Sequence, residues 1–211
     1  GHNSHRQFEA YVWPTRVGAI LVPLNYRLSI AELIECVADC TPKVLVVDRH
    51  FVTEARAIAD ACSCIKTVVF ADDTDVPKGM GGYEQLLEAA ADTEPETLEP
   101  FASQDSDTII LFYTSGSEGK PKGVMLSHAG LAINVLGQAV PFNWSTDDVF
   151  LLSGPMFHLG AGSRVFASLI HGGHMVIVEK FDPVAVMGTI QDYRITAVTF
   201  VPTMLAMIMN D

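Results

Sequence analysis

The residues best suited to chemistry form one string, Tyr113-Thr114-Ser115-Gly116-Ser117-Glu118-Gly119-Lys120-Pro121-Lys122-Gly123. It lies between two apolar runs, Thr108-Ile109-Ile110-Leu111-Phe112 and Val124-Met125-Leu126, and both read as strands. Its glycines let the backbone turn tightly or sit close to a ligand with no Cβ in the way. Ser and Thr hydroxyls, with backbone N–H groups freed by such a turn, form a concave anion site. Lys120 and Lys122 add positive charge to a chain of net charge −12. The physical reading is a phosphate-binding loop between two strands. A Walker A loop is excluded: its glycine spacing is out of step here, Lys120 is followed by proline, and strand rather than helix comes next. A mobile surface turn has the same composition, but the full string is far more specific than its composition.

A second candidate is His158 in Pro155-Met156-Phe157-His158-Leu159-Gly160. A lone histidine among apolar neighbours is usually a core residue with one satisfied hydrogen bond. This one follows the apolar run Val149-Phe150-Leu151-Leu152, and ligands bind outside the carboxyl ends of parallel strands. His128, His171 and His174 read instead as helix, turn and strand-edge residues. Cys36, Cys40, Cys62 and Cys64 lack the usual zinc spacing and read as buried reduced thiols. Asp72-Asp73 and Asp147-Asp148 read as solvated turns.

The eleven-residue string resembles the signature loop of the adenylate-forming superfamily, which includes acyl-CoA synthetases, luciferases and peptide-synthetase adenylation domains. Only Glu118 departs, standing where the pattern usually has Thr. A carboxylate beside phosphates repels them unless it points away or faces Mg²⁺. The His158 block is similar to Pro-x-Phe-His-x-x-Gly of acyl- and aryl-CoA synthetases. Asn3-Ser4 together with Gly18–Ser29 resembles their early block, which is structural there.

The resemblance implies a fold, a reaction and a set of site residues. The fold is α/β, mostly parallel sheets covered by helices, forming part of a large N-terminal domain. The reaction joins a carboxylic acid, ATP and coenzyme A through acyl-AMP, releasing pyrophosphate. Thr114, Ser115, Gly116, Ser117, Glu118, Gly119, Lys120 and Lys122 would hold the phosphates, with Thr114 a Mg²⁺ contact and His158 against the acyl or adenylate pocket. No amino-group-binding Asp is evident, which favours an acid without an α-amine. The His158 block and the early block lean towards fatty acids, with aryl acids open and a non-catalytic phosphate-binding remnant the alternative. The family's adenine, ribose and C-terminal lysine motifs are not in these residues. The expectation is an incomplete N-terminal domain over 1–211 without the C-terminal lid, inactive alone and prone to self-association through Met204–Met209.

These residues need a frame to position them. Ser29-x-x-Glu32 is a capping box opening a helix through about Asp39, with Ile30, Leu33, Ile34 and Val37 on one face. Lys43–Val47 reads as a strand covered on both faces, and further helix–strand alternation follows, which implies a parallel sheet. A helix is expected over 6–16, a strand over 18–23, helices near 51–62, 128–138 and 161–170, and strands at 67–70, 149–152, 174–178 and 196–201. Residues 71–104, polar and acidic with a short helix near 83–91, read as a surface excursion.

At 211 residues and 49% hydrophobic, the chain can bury a sizeable core. Its acidity and lack of a basic run exclude nucleic acid as a main partner. No apolar segment reaches the roughly 18 residues of a membrane span. With no signal-peptide pattern at the start, a cytoplasmic location is expected.

Overall fold

The computed structural model describes residues 1–72, 75–91, 101–114 and 121–210, without the side chains of 139–141. The chain divides into two compact units. One comprises Gly1, Leu24–Phe101 and Tyr113–Val124, and the other His2–Pro23, Ala102–Phe112 and Met125–Asp211.

In the first unit, helix α3 (Ile30–Cys40) starts at the expected capping box. Ser29 Oγ accepts the Glu32 N–H, and Glu32 Oε2 accepts the Ser29 N–H at 2.8 Å. The helix ends where Thr41 turns left-handed, at φ 46°. Strands β1 (Val44–Val47), β2 (Thr67–Phe70) and β3 (Gly81–Gly82) form a parallel sheet in that order. Helices α4 (Val52–Ala61) and α5 (Tyr83–Ala90) complete the alternation. Leu33, Val37, Leu45, Val47, Ala55, Ile58 and Cys62 make the core. One expectation is corrected: Val44 and Val46 are exposed while Leu45 and Val47 are buried. A continuous apolar run does not reveal whether one face or two will be covered, and here one is.

In the second unit, the helix expected over 6–16 is two pieces, α1 (His5–Ala10) and α2 (Trp13–Arg16). Pro14 has no N–H to continue the ladder, so it starts the second piece instead. The strand expected over 18–23 contracts to a single parallel bridge, Leu21 to Ile110. Strands β4 (Thr108–Thr114) and β5 (Lys122–Ser127) form a two-stranded sheet, of which Thr108–Phe112 and Met125–Ser127 belong to this unit and the rest to the first, and α6 (His128–Phe142) follows. Beyond it run β6 (Val149–Leu152), α7 (Leu159–His171), β7 (His174–Ile177), α8 (Pro183–Asp192), β8 (Ala197–Val198) and α9 (Pro202–Asn210). A parallel sheet has the order β7-β6-β8. The strand expected over 196–201 is shorter because the Val201 carbonyl already accepts from Met204 and Leu205, so the chain has turned into α9. The core gathers Tyr11, Ile110, Phe112, Leu131, Val135, Leu152, Met156 and Val165. Among the described residues no helix is long and apolar enough to cross a membrane.

Asp148 ties this second sheet together. Its Oδ1 accepts from Thr196 Oγ1 at 2.7 Å and its Oδ2 from the Ser145 N–H at 2.8 Å. Thr196 Oγ1 in turn accepts the Val149 N–H at 2.9 Å. The hydrogen bonds from Thr196 and then Ser145 hold the Asp148 carboxyl below its ordinary range. A depressed folded-state value means the stabilisation is present above the unfolded value of roughly 3.9 and is lost as pH falls through the folded value. The urea midpoint of Asp148→Asn is therefore expected to fall less than wild type between pH 6 and pH 3. Parallel acid limbs for the two proteins would refute this.

Candidate functional site

Strand β4 delivers the motif. Ile109, Ile110 and Phe112 are buried, which fixes the strand, and Thr114 emerges exposed at its end. Lys122, also exposed, opens β5. Thr114 Oγ1 reaches the Lys122 carbonyl oxygen at 3.5 Å, so the two ends of the connection lie side by side. Ser115, Gly116, Ser117, Glu118, Gly119 and Lys120 lie outside the described residues. The strand–loop–strand frame expected from the sequence is present at both described ends. Thr114 offers Mg²⁺ a hard hydroxyl oxygen at the exposed strand end. A cation that takes most of its ligands from phosphates and water needs little more from the protein, so the residue type fits.

Tyr113, the first residue of the motif, is anchored. Its hydroxyl donates to Asp39 Oδ2 at 2.5 Å. Burial, and then this bond to Asp39, push the Tyr113 phenol well above its ordinary range, so it stays a donor at any working pH. Asp39 lies in the last turn of α3, where a negative charge opposes the helix dipole. An acid at a helix C-terminus is a sequence signal that some partner compensates for it, and the reading of the sequence missed it. Cys40, next to Asp39, also neighbours the Tyr113 hydroxyl.

All four cysteines are free; Cys36 and Cys62 are buried as expected, while Cys40 and Cys64 are only half-buried, and burial pushes the Cys36 thiol up to about 11. Among the described residues, no group of side chains suited to a metal includes a cysteine.

His158 is exposed just past the end of β6, on the backbone N-cap of α7. Its N–H donates to the Pro155 carbonyl at 3.1 Å, and its carbonyl accepts from Gly162 at 2.8 Å. Its ring lies 4.7 Å from that of Phe157, which is buried. His128 and His174 sit at the first residue of α6 and the first of β7, as expected, whereas His171, expected in a turn, is the last residue of helix α7. A cavity of about 200 Å³ lies among Tyr11, Thr15, Ile109, His128, Leu131 and Phe166, and none of the described motif residues lines it. Its lining is mostly apolar, with Thr15 and His128 as polar exceptions.

Comparison with known proteins bears on the family and the fold. A family model described as AMP-binding enzyme matches residues 1–211. The indoleacetate–CoA ligase of Aromatoleum aromaticum is 36% identical over 98% of the chain, which covers 40% of that enzyme. A feruloyl-CoA synthase of Amycolatopsis is 35% identical over 90% of the chain, covering 35% of its length. The ATP-bound MatB of Rhodopseudomonas palustris superposes over the whole chain with a TM-score of 0.80 at 27% identity, and 40% of that protein is covered. The chain therefore spans about two fifths of the length of these relatives. With a match running from the first residue to the last, the chain belongs to the AMP-binding enzyme family.

Proposed function

We propose that the protein carrying this chain is an ATP-dependent acid–thiol ligase, and that these residues are the phosphate-holding part of its N-terminal domain. The observation that carries the reading is the strand-borne motif: β4 and β5 hold Thr114 and Lys122 beside one another at the two ends of an adenylate-forming signature string. In the reaction, the carboxylate of the acid attacks the α-phosphorus of ATP, forming the acyl–phosphate bond of acyl-AMP and releasing pyrophosphate. The thiol of coenzyme A then attacks the acyl carbon and AMP leaves. Chemistry of this kind rests on positioning and charge stabilisation, not on a protein nucleophile. The hydroxyls of Thr114, Ser115 and Ser117, the backbone of Gly116 and Gly119, and the Lys120 and Lys122 ammonium groups hold the departing pyrophosphate. Thr114 adds a ligand to Mg²⁺, which neutralises phosphate charge when bound. His158 faces the acid, and the location is cytoplasmic.

For the acid, relatives named for indoleacetate and ferulate support an aryl or arylalkyl substrate ahead of a fatty one. The test is acid-dependent pyrophosphate release by the full reading frame that carries the chain, with indoleacetate, ferulate and a long-chain fatty acid in parallel. Release with an aryl acid, followed by thioester formation with coenzyme A, is the expected outcome. Release with the fatty acid alone would overturn the acid assignment. No release with any acid, but retained pyrophosphate binding, would replace the ligase reading with a phosphate-binding remnant.

The Tyr113–Asp39 hydrogen bond sets where the loop begins. Tyr113→Phe is expected to raise the KM for ATP by roughly fivefold to tenfold, the scale of one ordinary net hydrogen bond. Asp39→Asn, which keeps an acceptor, should lie nearer wild type. Equal KM values for ATP in wild type and Tyr113→Phe would remove the anchor from the account.

The 211-residue chain by itself is expected to self-associate. Val201, Leu205, Met207 and Met209 are exposed in and beside α9, Met209 at 79%, and apolar side chains clustered in the open favour association. Light scattering over a tenfold range of concentration should show rising mass, and a constant monomer mass would refute this.

A further inference from the structure

The turn that carries His158 is built from the opposite end of the sequence. Asn3 is buried, at 6% exposure, and uses every polar atom of its side chain. Its Nδ2 donates to the Gly154 carbonyl at 2.8 Å and to the Val178 carbonyl at 3.2 Å. Its Oδ1 accepts the Met156 N–H at 2.9 Å. The two carbonyls and the one N–H fix which end of the amide is which. Its own backbone N–H donates to the Glu179 carbonyl at 3.1 Å. Tyr11, at 1% exposure, donates its hydroxyl to the Met156 carbonyl. Both backbone polar groups of Met156 are thus satisfied by side chains about 150 residues away in sequence.

The clamp continues into His158. Met156 is fully buried, and Phe157 is nearly so. The His158 N–H is held by Pro155, and the His158 carbonyl by Ala161 and Gly162. Gly162 lets the first turn of α7 close on the clamp. A Cβ there would lie 2.7 Å from Tyr11 Oη and 2.9 Å from the Met156 carbonyl oxygen.

Helix capping does not account for Asn3, because Ser4 does that work: its Oγ accepts the Gln7 N–H at 3.1 Å. Packing alone does not account for it either, since a buried amide is costly unless every group is paired. No other side chain of this size offers two donors and one acceptor from one planar group.

We infer that Asn3 and Tyr11 are positioning residues, which hold the Gly154–Met156 turn so that His158 stands at the end of β6 in the orientation the acid site requires. This deepens, and rests on, the reading of His158 as facing the acid in an acid–thiol ligase. The early block of the chain is then part of the machinery and not only of the frame.

The test uses the full-length ligase with Tyr11→Phe, which removes one oxygen and keeps the shape, and Asn3→Ala as the stronger variant. Val186→Ala, on the buried face of α8, is the destabilised control. Hydrogen exchange reads the clamp without relying on activity. In Tyr11→Phe, exchange across Gly154–Gly162 is expected to quicken roughly tenfold, while the control shows no such local change. Kinetics then read the consequence. Tyr11→Phe is expected to raise the KM for the acid roughly fivefold to tenfold and to leave the KM for ATP within about twofold. In a His158→Ala background that rise should vanish, because contributions acting through one residue do not add.

Unchanged exchange at 154–162 overturns the clamp whatever the enzyme catalyses. Quickened exchange with an unchanged KM for the acid, or a full rise retained in His158→Ala, overturns the positioning role and leaves a structural one. An enzyme inactive with every acid defeats the ligase reading and with it the positioning role, while exchange alone still decides the clamp.

Discussion

A buried backbone group must find a hydrogen-bond partner, and where a strand ends the sheet no longer supplies one. That constraint shapes the second unit of this protein. After β6 the chain turns inward through Gly154, Pro155 and Met156 before α7 begins, and Met156 is completely buried. Its N–H and C=O are out of reach of β7 and β8, whose pairings stop at the strand end. Asn3 and Tyr11 take their place. Once the turn is satisfied in this way, the Met156 side chain enters the core, and α7 starts with His158 as its cap. The exposed histidine is a consequence of buried bookkeeping one turn earlier.

The first unit answers the same need differently. Tyr113 leaves β4 at the edge of the motif, and its hydroxyl finds Asp39 on α3. Asp39 gains a donor at a helix end where its charge is otherwise unfavourable, and the half-buried Tyr113 gains an acceptor for its hydroxyl. Each residue is poorly placed without the other. In both units, then, a strand end or the turn after it is held by polar side chains from a distant helix or helix entry.

This division explains what could be read in the sequence. The capping box of α3 was legible because its two halves are three residues apart. The parallel alternation was legible because each strand and helix carries its own period. The phosphate-loop string was legible because its chemistry and its spacing lie in one run. The break between α1 and α2 should have been read from Pro14. Asn3, Asp39 and Asp148 were not legible as anchors. The partners of Asn3 lie 151 to 175 residues away, that of Asp39 lies 74 away, and Thr196 lies 48 from Asp148. A single polar residue whose partner is that remote looks the same in the sequence as one facing water. The run at 18–23 failed for the opposite reason: its apolar content suggested a strand, but only Leu21 finds a partner across from it.

A net charge of −12 and the proposed phosphate site are compatible because the two act over different distances. At physiological ionic strength, charges separated by more than about 8 Å in solvent are largely screened from one another. Exposed carboxylates elsewhere on the chain therefore contribute little at the end of β4, whatever their number. On the reading proposed above, binding there is decided by the short-range set that the string offers: backbone N–H groups, three hydroxyls, and the ammonium groups of Lys120 and Lys122. Within that string Glu118 is the one charge of the wrong sign, and a like charge a few ångströms from a phosphate is worth several times a remote one. On the proposed reading an acidic protein can hold ATP on these terms, and the charge that counts most against it is the one in the string rather than those on the surface.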